Sequence, residues 1–226
     1  MEPQIRRSIR LRILLPVLVL LPFSFFGCAE EDGRYTIATV VKLIGVQWFN
    51  RMEVGIEQFR EETGHNVYMI GPPRADAALQ VQLLEDAIAQ NVDAMTVVPF
   101  SPESLDPVLG RAMQAGIKVV THEASSQENF DYDLEAFDNS AYGAHLMDGL
   151  AACLGEEGEY AVFVGSLTSR THNEWVDAAI ARQREAYPNM RLAGSRNESY
   201  DNQQNAYNKA QELFRTYPEL RGFLGS

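Results

Sequence analysis

The chain has 226 residues, of which 46% are hydrophobic and 22% charged. This is the composition of an ordinary globular protein, which excludes a disordered chain, a collagen, a coiled coil and a small disulfide-stapled scaffold. Acidic residues outnumber basic ones by 31 to 19, giving a net charge of −12. Such a charge repels phosphate backbones and anionic lipid headgroups, so no nucleic-acid partner is expected.

The N-terminal residues have the pattern of an export signal. Four arginines between positions 6 and 12 precede an apolar run over 13–26, which is shorter than the roughly 18 apolar residues that a membrane span needs. The run ends at Gly27 and Cys28, which resemble a bacterial lipobox. We therefore predict a lipoprotein-type signal peptide over 1–27, lipidation at Cys28 and a tether over 28–34. A conventional signal peptide and an uncleaved anchor are the alternatives.

The chain contains two cysteines. If Cys28 carries lipid, Cys153 has no partner for an intramolecular disulfide. Cys153 follows Leu146 and Leu150 at helical spacing. This spacing predicts a small core side chain without chemistry.

After position 34 the sequence alternates short β-rich runs with amphipathic helical stretches, which predicts an α/β fold with parallel sheets. The predicted strands are 35–41, 66–70, 94–98, 118–122, 134–137, 159–165, 190–198 and 222–224. A polar stretch around 123–133 separates an N-terminal lobe, 35–138, from a C-terminal lobe, 139–226. The second lobe has about three strands against four or five in the first, so we expect it to be incomplete and the chain to be part of a longer one.

Ligands of open α/β sheets bind beyond the carboxyl ends of the strands. The residues just after the predicted strands combine aromatic rings with carboxylates, amides and a cation, which suits a sugar: rings pack on its C–H face and polar groups bind its hydroxyls. The candidate ligand-binding residues are Lys42, Trp48, Phe49, Phe100, Glu123, Thr171, His172, Asn173, Tyr200 and Asp201.

Several of these candidates also have structural interpretations. Trp48 and Phe49 could be core residues at a helix start, Lys42 could be a solvated strand end, and Asp201 could cap the following helix. Glu123 would need a second carboxylate to act as a catalytic acid. No nucleophile elbow, phosphate loop, HExxH or CxxC motif occurs, so we expect no enzyme, no metal site and no cofactor.

Three longer runs carry a family resemblance: KLIGVQWFNRMEVGIEQF at 42–59, the run at 88–124, and NEWVDAAI at 173–180. They resemble the type I sugar-binding periplasmic proteins, the solute receptors of ABC importers, and most closely the autoinducer-2-binding and rhamnose-binding branch. The resemblance covers residues 35–226. It implies two Rossmann-like lobes, joined by a hinge, that close on one sugar-like ligand.

Within that branch, Lys42 matches a lysine that contacts autoinducer-2, and Glu123 stands where the branch has an aspartate. The pair Thr171 and His172 replaces an adjacent Asp-Gln pair of the autoinducer-2 receptors. This exchange disfavours autoinducer-2 and favours another small polyol, such as a deoxyhexose or a pentose.

The resemblance implies a receptor in the periplasm or cell envelope that delivers its ligand to an ABC permease in the membrane. An alternative is the ligand-sensing domain of a chemoreceptor or histidine-kinase system. A sugar-responsive repressor would begin with a DNA-binding helix-turn-helix, and here an export signal occupies that place. A glycosidase is a further alternative that turnover of labelled sugars would reveal.

Overall fold

A computed structural model describes residues 33–226. The predicted signal peptide, the predicted lipidation site Cys28 and most of the predicted tether lie outside this range, and only Gly33 and Arg34 of the tether are described. Within 33–226, no helix is both long and apolar enough to cross a bilayer.

Two parallel sheets form the framework, as the alternating pattern predicts. The first sheet has the order β2-β1-β3-β4-β5 and the second the order β7-β6-β8. The strands are β1 (Thr36–Val40), β2 (Asn66–Ile70), β3 (Ala94–Val97), β4 (Lys118–His122), β5 (Tyr132–Leu134), β6 (Gly158–Val164), β7 (Met190–Glu198) and β8 (Leu220–Gly225). The helices are α1 (Gln47–Thr63), α2 (Ala77–Ala89), α3 (Pro102–Gln114), α4 (Asn139–Leu154), α5 (Arg170–Ala186) and α6 (Gln203–Thr216). The α/β fold class is thereby confirmed.

Polar residues placed before the helices set where several of them begin. The Asp76 side chain accepts hydrogen bonds from the first backbone amides of α2, and Asp138 does the same for α4. Asn202 caps α6 by accepting from Asn205 N–H. The interpretation of Asp201 as the cap of this helix is therefore wrong, because Asn202 is the capping residue. The Asp201 carboxylate remains available for other contacts.

The core of the first sheet lies on the side covered by α2 and α3. Leu84, Met95, Leu105 and Leu109 are fully buried there. On the opposite side of the sheet, a small apolar groove is lined by Met52 and Ile56 of α1 and by strand residues such as Val120 of β4. Phe59, which follows Met52 and Ile56 at helical spacing, is nevertheless exposed and contacts the ring of His65.

The second sheet packs between α4 and α5 on one side and α6 on the other. Met147, Tyr160 and Val176 are buried on the first side, and Leu213 on the second. The buried stripe of α4 consists of Gly143, Met147, Ala151 and Leu154. Cys153 lies outside this stripe and is exposed, so the prediction of a core cysteine is wrong.

The fifth strand lies two residues earlier than predicted, at Tyr132–Leu134 instead of 134–137. Hydrogen bonds from side chains fix this register. The Asp131 carboxylate accepts from Val119 N–H, and Thr121 Oγ1 donates to Asp133 Oδ1. The acidic residues that hide the strand in the sequence are therefore the ones that dock it on β4.

Close packing of α4 on α5 generates a first prediction. A Cβ added at Gly143 would lie 2.2 Å from the Trp175 carbonyl oxygen, whereas one at Gly149 of the same helix would meet nothing within 4 Å. Gly143→Ala should lower the free energy of unfolding by about 1–3 kcal/mol through overpacking. Gly149→Ala should leave it unchanged or raise it by up to about 1 kcal/mol. Urea unfolding of both variants measures the difference, and equal stability would contradict this packing.

Candidate functional site

A cavity of about 440 Å³ lies where the carboxyl ends of β1, β4 and β6 come together with α1, α4 and α5. This volume suits a small organic ligand. Six of the ten predicted residues line it: Lys42, Trp48, Phe49, Glu123, His172 and Asp201. Leu43, Val46, Phe137, Tyr142 and Trp175 complete the lining.

A buried ammonium links the two sheets at the cavity. Lys42 follows β1 and is 5% exposed, and its Nζ lies 2.9 Å from His172 Nε2 and 3.4 Å from Asp201 Oδ2. The Lys42–Asp201 distance permits charge attraction, yet Asp201 Oδ2 is buried and accepts no hydrogen bond. Both partners of the lysine belong to the second half of the chain, so this contact spans the cavity.

Gly165, at the end of β6, places both partners of Lys42. Its backbone N–H donates to His172 Nδ1 at 3.0 Å. It also has no side chain where Asp201 approaches, since a Cβ there would lie 2.6 Å from Asp201 Oδ1. Glycine at this position is therefore required by close approach of the carboxylate.

The protonation of His172 follows from these contacts. Burial lowers the pKa of His172 to about 3, assisted by Lys42 and opposed by Asp201, so the ring is neutral. Because Gly165 N–H occupies Nδ1, the neutral ring carries its proton on Nε2. That N–H and the Lys42 ammonium are then two donors only 2.9 Å apart, and an acceptor atom bound beside both of them would stabilise the pair.

The two cavity carboxylates lie on left-handed backbone. Glu123 has φ 58° and Asp201 φ 51°, directly after Tyr200 at φ 54°. Non-glycine residues in this region cost about 1–3 kcal/mol and occur mostly at functional sites. The Glu123 side chain is 7% exposed and its nearest ionisable neighbour is His122, with Nε2 at 3.8 Å from Oε1.

Three aromatic residues of the cavity lining, Phe137, Tyr142 and Trp175, are not among the residues predicted from the sequence. Tyr142 and Trp175 pack edge to face at 4.8 Å, and Phe137 lies 4.8 Å from Tyr142 between ring centroids. Trp175 also stacks on His172, with centroids 5.3 Å apart and planes at 16°. Trp175 lies within the run NEWVDAAI and is one of two tryptophans, which was the signal available for it.

Four predicted residues lie outside the cavity lining. Phe100 belongs to a loop held by Gln80, whose Oε1 accepts from Phe100 N–H at 2.9 Å. Thr171 is buried in α5 with its Oγ1 unpaired. Asn173 is bonded to Ser166, Ser169 and Arg196, and Tyr200 is exposed and donates to Glu198 Oε2.

A second polar network joins the two halves beside the crossover into α4. Asn139 Nδ2 donates to Glu135 Oε2 at 3.0 Å and to Glu174 Oε2 at 3.2 Å, and Asn139 Oδ1 accepts from Trp175 Nε1 at 2.8 Å. Ser125 donates to Glu174 Oε1 at 2.8 Å. Burial raises the pKa of Glu135, against the opposing hydrogen bond from Asn139. The Asn139 side-chain amide therefore connects the segment between β5 and α4 with Trp175 in the cavity lining.

The chemistry available in this cavity is recognition by hydrogen bonds, charge and ring stacking. Within residues 33–226, no group of three or more His, Cys, Asp or Glu side chains has the arrangement of a metal site.

Truncation of Asn139 tests the second network. Asn139→Ala leaves the Trp175 N–H without its acceptor and should lower the free energy of unfolding by about 1–3 kcal/mol. In a Trp48→Phe background, where Trp175 is the remaining tryptophan, its emission maximum should also shift. Asn208→Ala, at an exposed position of α6, is the control and should change neither quantity. An unchanged emission maximum in the Asn139 variant would contradict the proposed link.

The lowered pKa of His172 predicts a pH dependence of stability. Between about pH 3 and 6.5 the unfolded histidine binds a proton that the folded one does not. The free energy of unfolding therefore falls as the pH drops below 6.5, with a limiting slope of about 1.4 kcal/mol per pH unit from this residue.

His172→Gln should reduce the loss of unfolding free energy between pH 7 and 5, measured by urea unfolding. His145→Gln, at an exposed position, should keep the wild-type slope; identical slopes in both variants would disprove the assignment.

Comparison with known proteins shows similarity along most of the chain. A family model described as a periplasmic binding protein domain matches residues 37–226. The D-ribose/D-allose-binding protein of Pseudomonas aeruginosa is 29% identical over 118 residues, covering 51% of this chain and 37% of that protein. The ribose import binding protein of Bacillus subtilis is 27% identical over 161 residues, covering 66% and 52%. The chain thus spans about a third to a half of these relatives' length.

Solved structures share the fold at low sequence identity. A solute-binding protein from Burkholderia graminis in complex with D-arabinose superposes with a TM-score of 0.77 at 24% identity, covering 86% of this chain and 67% of that one. One from Clostridium phytofermentas with bound L-rhamnose gives 0.79 at 22% identity, covering 84% and 60%. With its parallel sheets and the family match over 37–226, this chain belongs to the periplasmic binding protein domain family.

Proposed function

We propose that this chain is the substrate-binding component of an ABC importer, which binds a small sugar in the cavity and delivers it to a membrane permease. The observation that carries the proposal is the cavity itself, which is lined by aromatic rings and charged groups from both halves of the chain. Relatives named for binding ribose, allose and xylose support it. Its action is binding without bond cleavage.

The polar groups of the cavity suit a ligand hydroxyl. The Lys42 ammonium and the His172 Nε2–H converge as donors, and Asp201 Oδ2 is an unpaired acceptor beside them. A hydroxyl oxygen accepts from a donor and passes its own proton on to an acceptor. One ligand hydroxyl at this point would relieve the donor–donor contact and satisfy the carboxylate together.

The finer identity of the ligand is part of the proposal. His172 takes part in the cavity through its N–H and its stacked ring, where the autoinducer-2 receptors would have a different polar pair. We infer a pentose or deoxyhexose in preference to autoinducer-2. The lobes 35–138 and 139–226 would close on it by rotation near Asp138 and Asn139, with lipid at Cys28 holding the protein in the periplasm or cell envelope.

Calorimetric titration of the purified protein with pentoses, hexoses, 6-deoxyhexoses, amino sugars and autoinducer-2 tests this function. We expect one sugar to bind with a defined stoichiometry. Trp48→Ala removes an exposed ring at the cavity and should weaken that binding at least tenfold, about 1.4 kcal/mol. Tyr207→Ala, an exposed aromatic residue on α6, should keep wild-type affinity. No heat from any sugar, or equal affinity in both variants, would overturn the proposal.

A further inference from the structure

The charges that line the cavity do not cancel. Lys42, Glu123, His172 and Asp201 are the strongly ionisable residues of the lining. Lys42 and Asp201 form one ion pair at 3.4 Å, and burial keeps the His172 ring neutral by lowering its pKa. Glu123 therefore leaves a net charge of −1 in a cavity walled mainly by apolar side chains.

Among residues 33–226, no side chain or backbone amide donates a hydrogen bond to the Glu123 carboxylate. The one basic group in its vicinity is His122, whose Nε2 lies 3.8 Å from Oε1, beyond hydrogen-bond distance. His122 Nδ1 lies 2.6 Å from the Leu134 carbonyl oxygen and donates to it. That bond holds the His122 ring in place, with its Nε2 beyond hydrogen-bond distance of the Glu123 carboxylate.

The Glu123 carboxylate faces the cavity, so a ligand that displaces water from it must supply a donor or leave the charge desolvated at high cost. A neutral hydroxyl provides one proton and leaves the charge in place. An ammonium provides up to three protons and cancels the charge, which matters most when the cavity is desolvated around a ligand.

The aromatic lining favours the same kind of ligand. Trp48, Tyr142 and Trp175 present π systems around the cavity, and such rings attract a cation as well as the C–H face of a sugar. A neutral sugar would use only the packing of its C–H face on the rings. A ligand with both a carbohydrate ring and a positive charge would use both.

We propose that the ligand is an amino sugar, whose ammonium group pairs with the Glu123 carboxylate while its ring lies against the aromatic walls. This rests on the proposed function, because it names the chemical class of ligand for the same cavity. Lys42, His172 and Asp201 then bind the hydroxyls, and Glu123 selects the amine.

Sugars that differ in one substituent test the inference. Calorimetric titration of the purified protein at pH 6, where the amine is protonated, would compare D-glucosamine with D-glucose and N-acetyl-D-glucosamine, and D-galactosamine with D-galactose. In at least one series we expect the free amine to bind at least tenfold more tightly than its neutral counterparts. N-acetylation keeps the nitrogen and removes the charge, so it separates charge from shape.

Glu123→Gln removes the charge and keeps the side-chain size. It should reduce the preference for the amine over its neutral counterpart at least tenfold. Glu128→Gln, an exposed glutamate on the same loop, should keep the preference. The ligand-free Glu123→Gln protein should melt at the wild-type temperature or higher, because no described residue donates a hydrogen bond to the carboxylate in the fold; a lower melting temperature would show that Glu123 serves the fold instead.

The outcomes separate this inference from the proposed function. Neutral sugars that bind as tightly as the amines, or an amine preference that survives Glu123→Gln, would overturn the inference while leaving a sugar-binding protein. Absence of binding by the amines and by every neutral sugar of the wider panel would overturn both.

Discussion

The ammonium of Lys42 holds the two halves of the chain together at the cavity. It follows a strand of the first sheet, and its partners His172 and Asp201 follow strands of the second. A cation buried to this degree needs a compensating charge close by, because an unpaired one would cost several kcal/mol. Asp201, which follows β7, supplies it: Gly165 leaves room for this carboxylate, and Asn202 caps α6 so that Asp201 remains in the cavity.

The network around Asn139 makes a second connection of a different kind. It relies on one amide shared by carboxylates from both sides of the crossover, and so on hydrogen-bond geometry more than on net charge. Trp175 belongs to both connections, because its ring stacks on His172 and its N–H donates to Asn139. A ligand that packs on this ring therefore contacts the ionic link and the crossover at once.

Residues that directly follow strands or lie in the first turn of α1 and α5 were predictable from the sequence, whereas Trp175, which reaches the cavity by helix packing, was not. Lys42, Glu123 and Asp201 each follow a strand of a parallel sheet, whose carboxyl ends meet at one edge. Trp175 is more than a turn inside α5, and it reaches the cavity because Gly143 lets α4 approach closely. That approach depends on packing between helices, which periodicity does not encode.

Phe100 is the opposite case: the sequence makes it a candidate ligand-binding residue, yet it lies outside the cavity lining. Its position after β3 predicts a cavity residue, but a hydrogen bond to Gln80, twenty residues earlier in the chain, holds its loop. The buried Gln80 side chain also donates to Val98 O. Such long-range bonds between a side chain and the backbone leave no local signature. The same holds for β5, which acidic side chains dock onto its neighbour.

The close approach of Asp201 to Gly165 links the evolutionary fates of the two positions. Any larger residue at 165 pushes the carboxylate away from Lys42, and any residue shorter than aspartate at 201 removes the carboxylate altogether. Either single change therefore leaves the buried Lys42 without its counter-ion, so a change at one position is tolerated best when its partners change with it. A library meant to alter ligand preference should vary positions 42, 165 and 201 jointly.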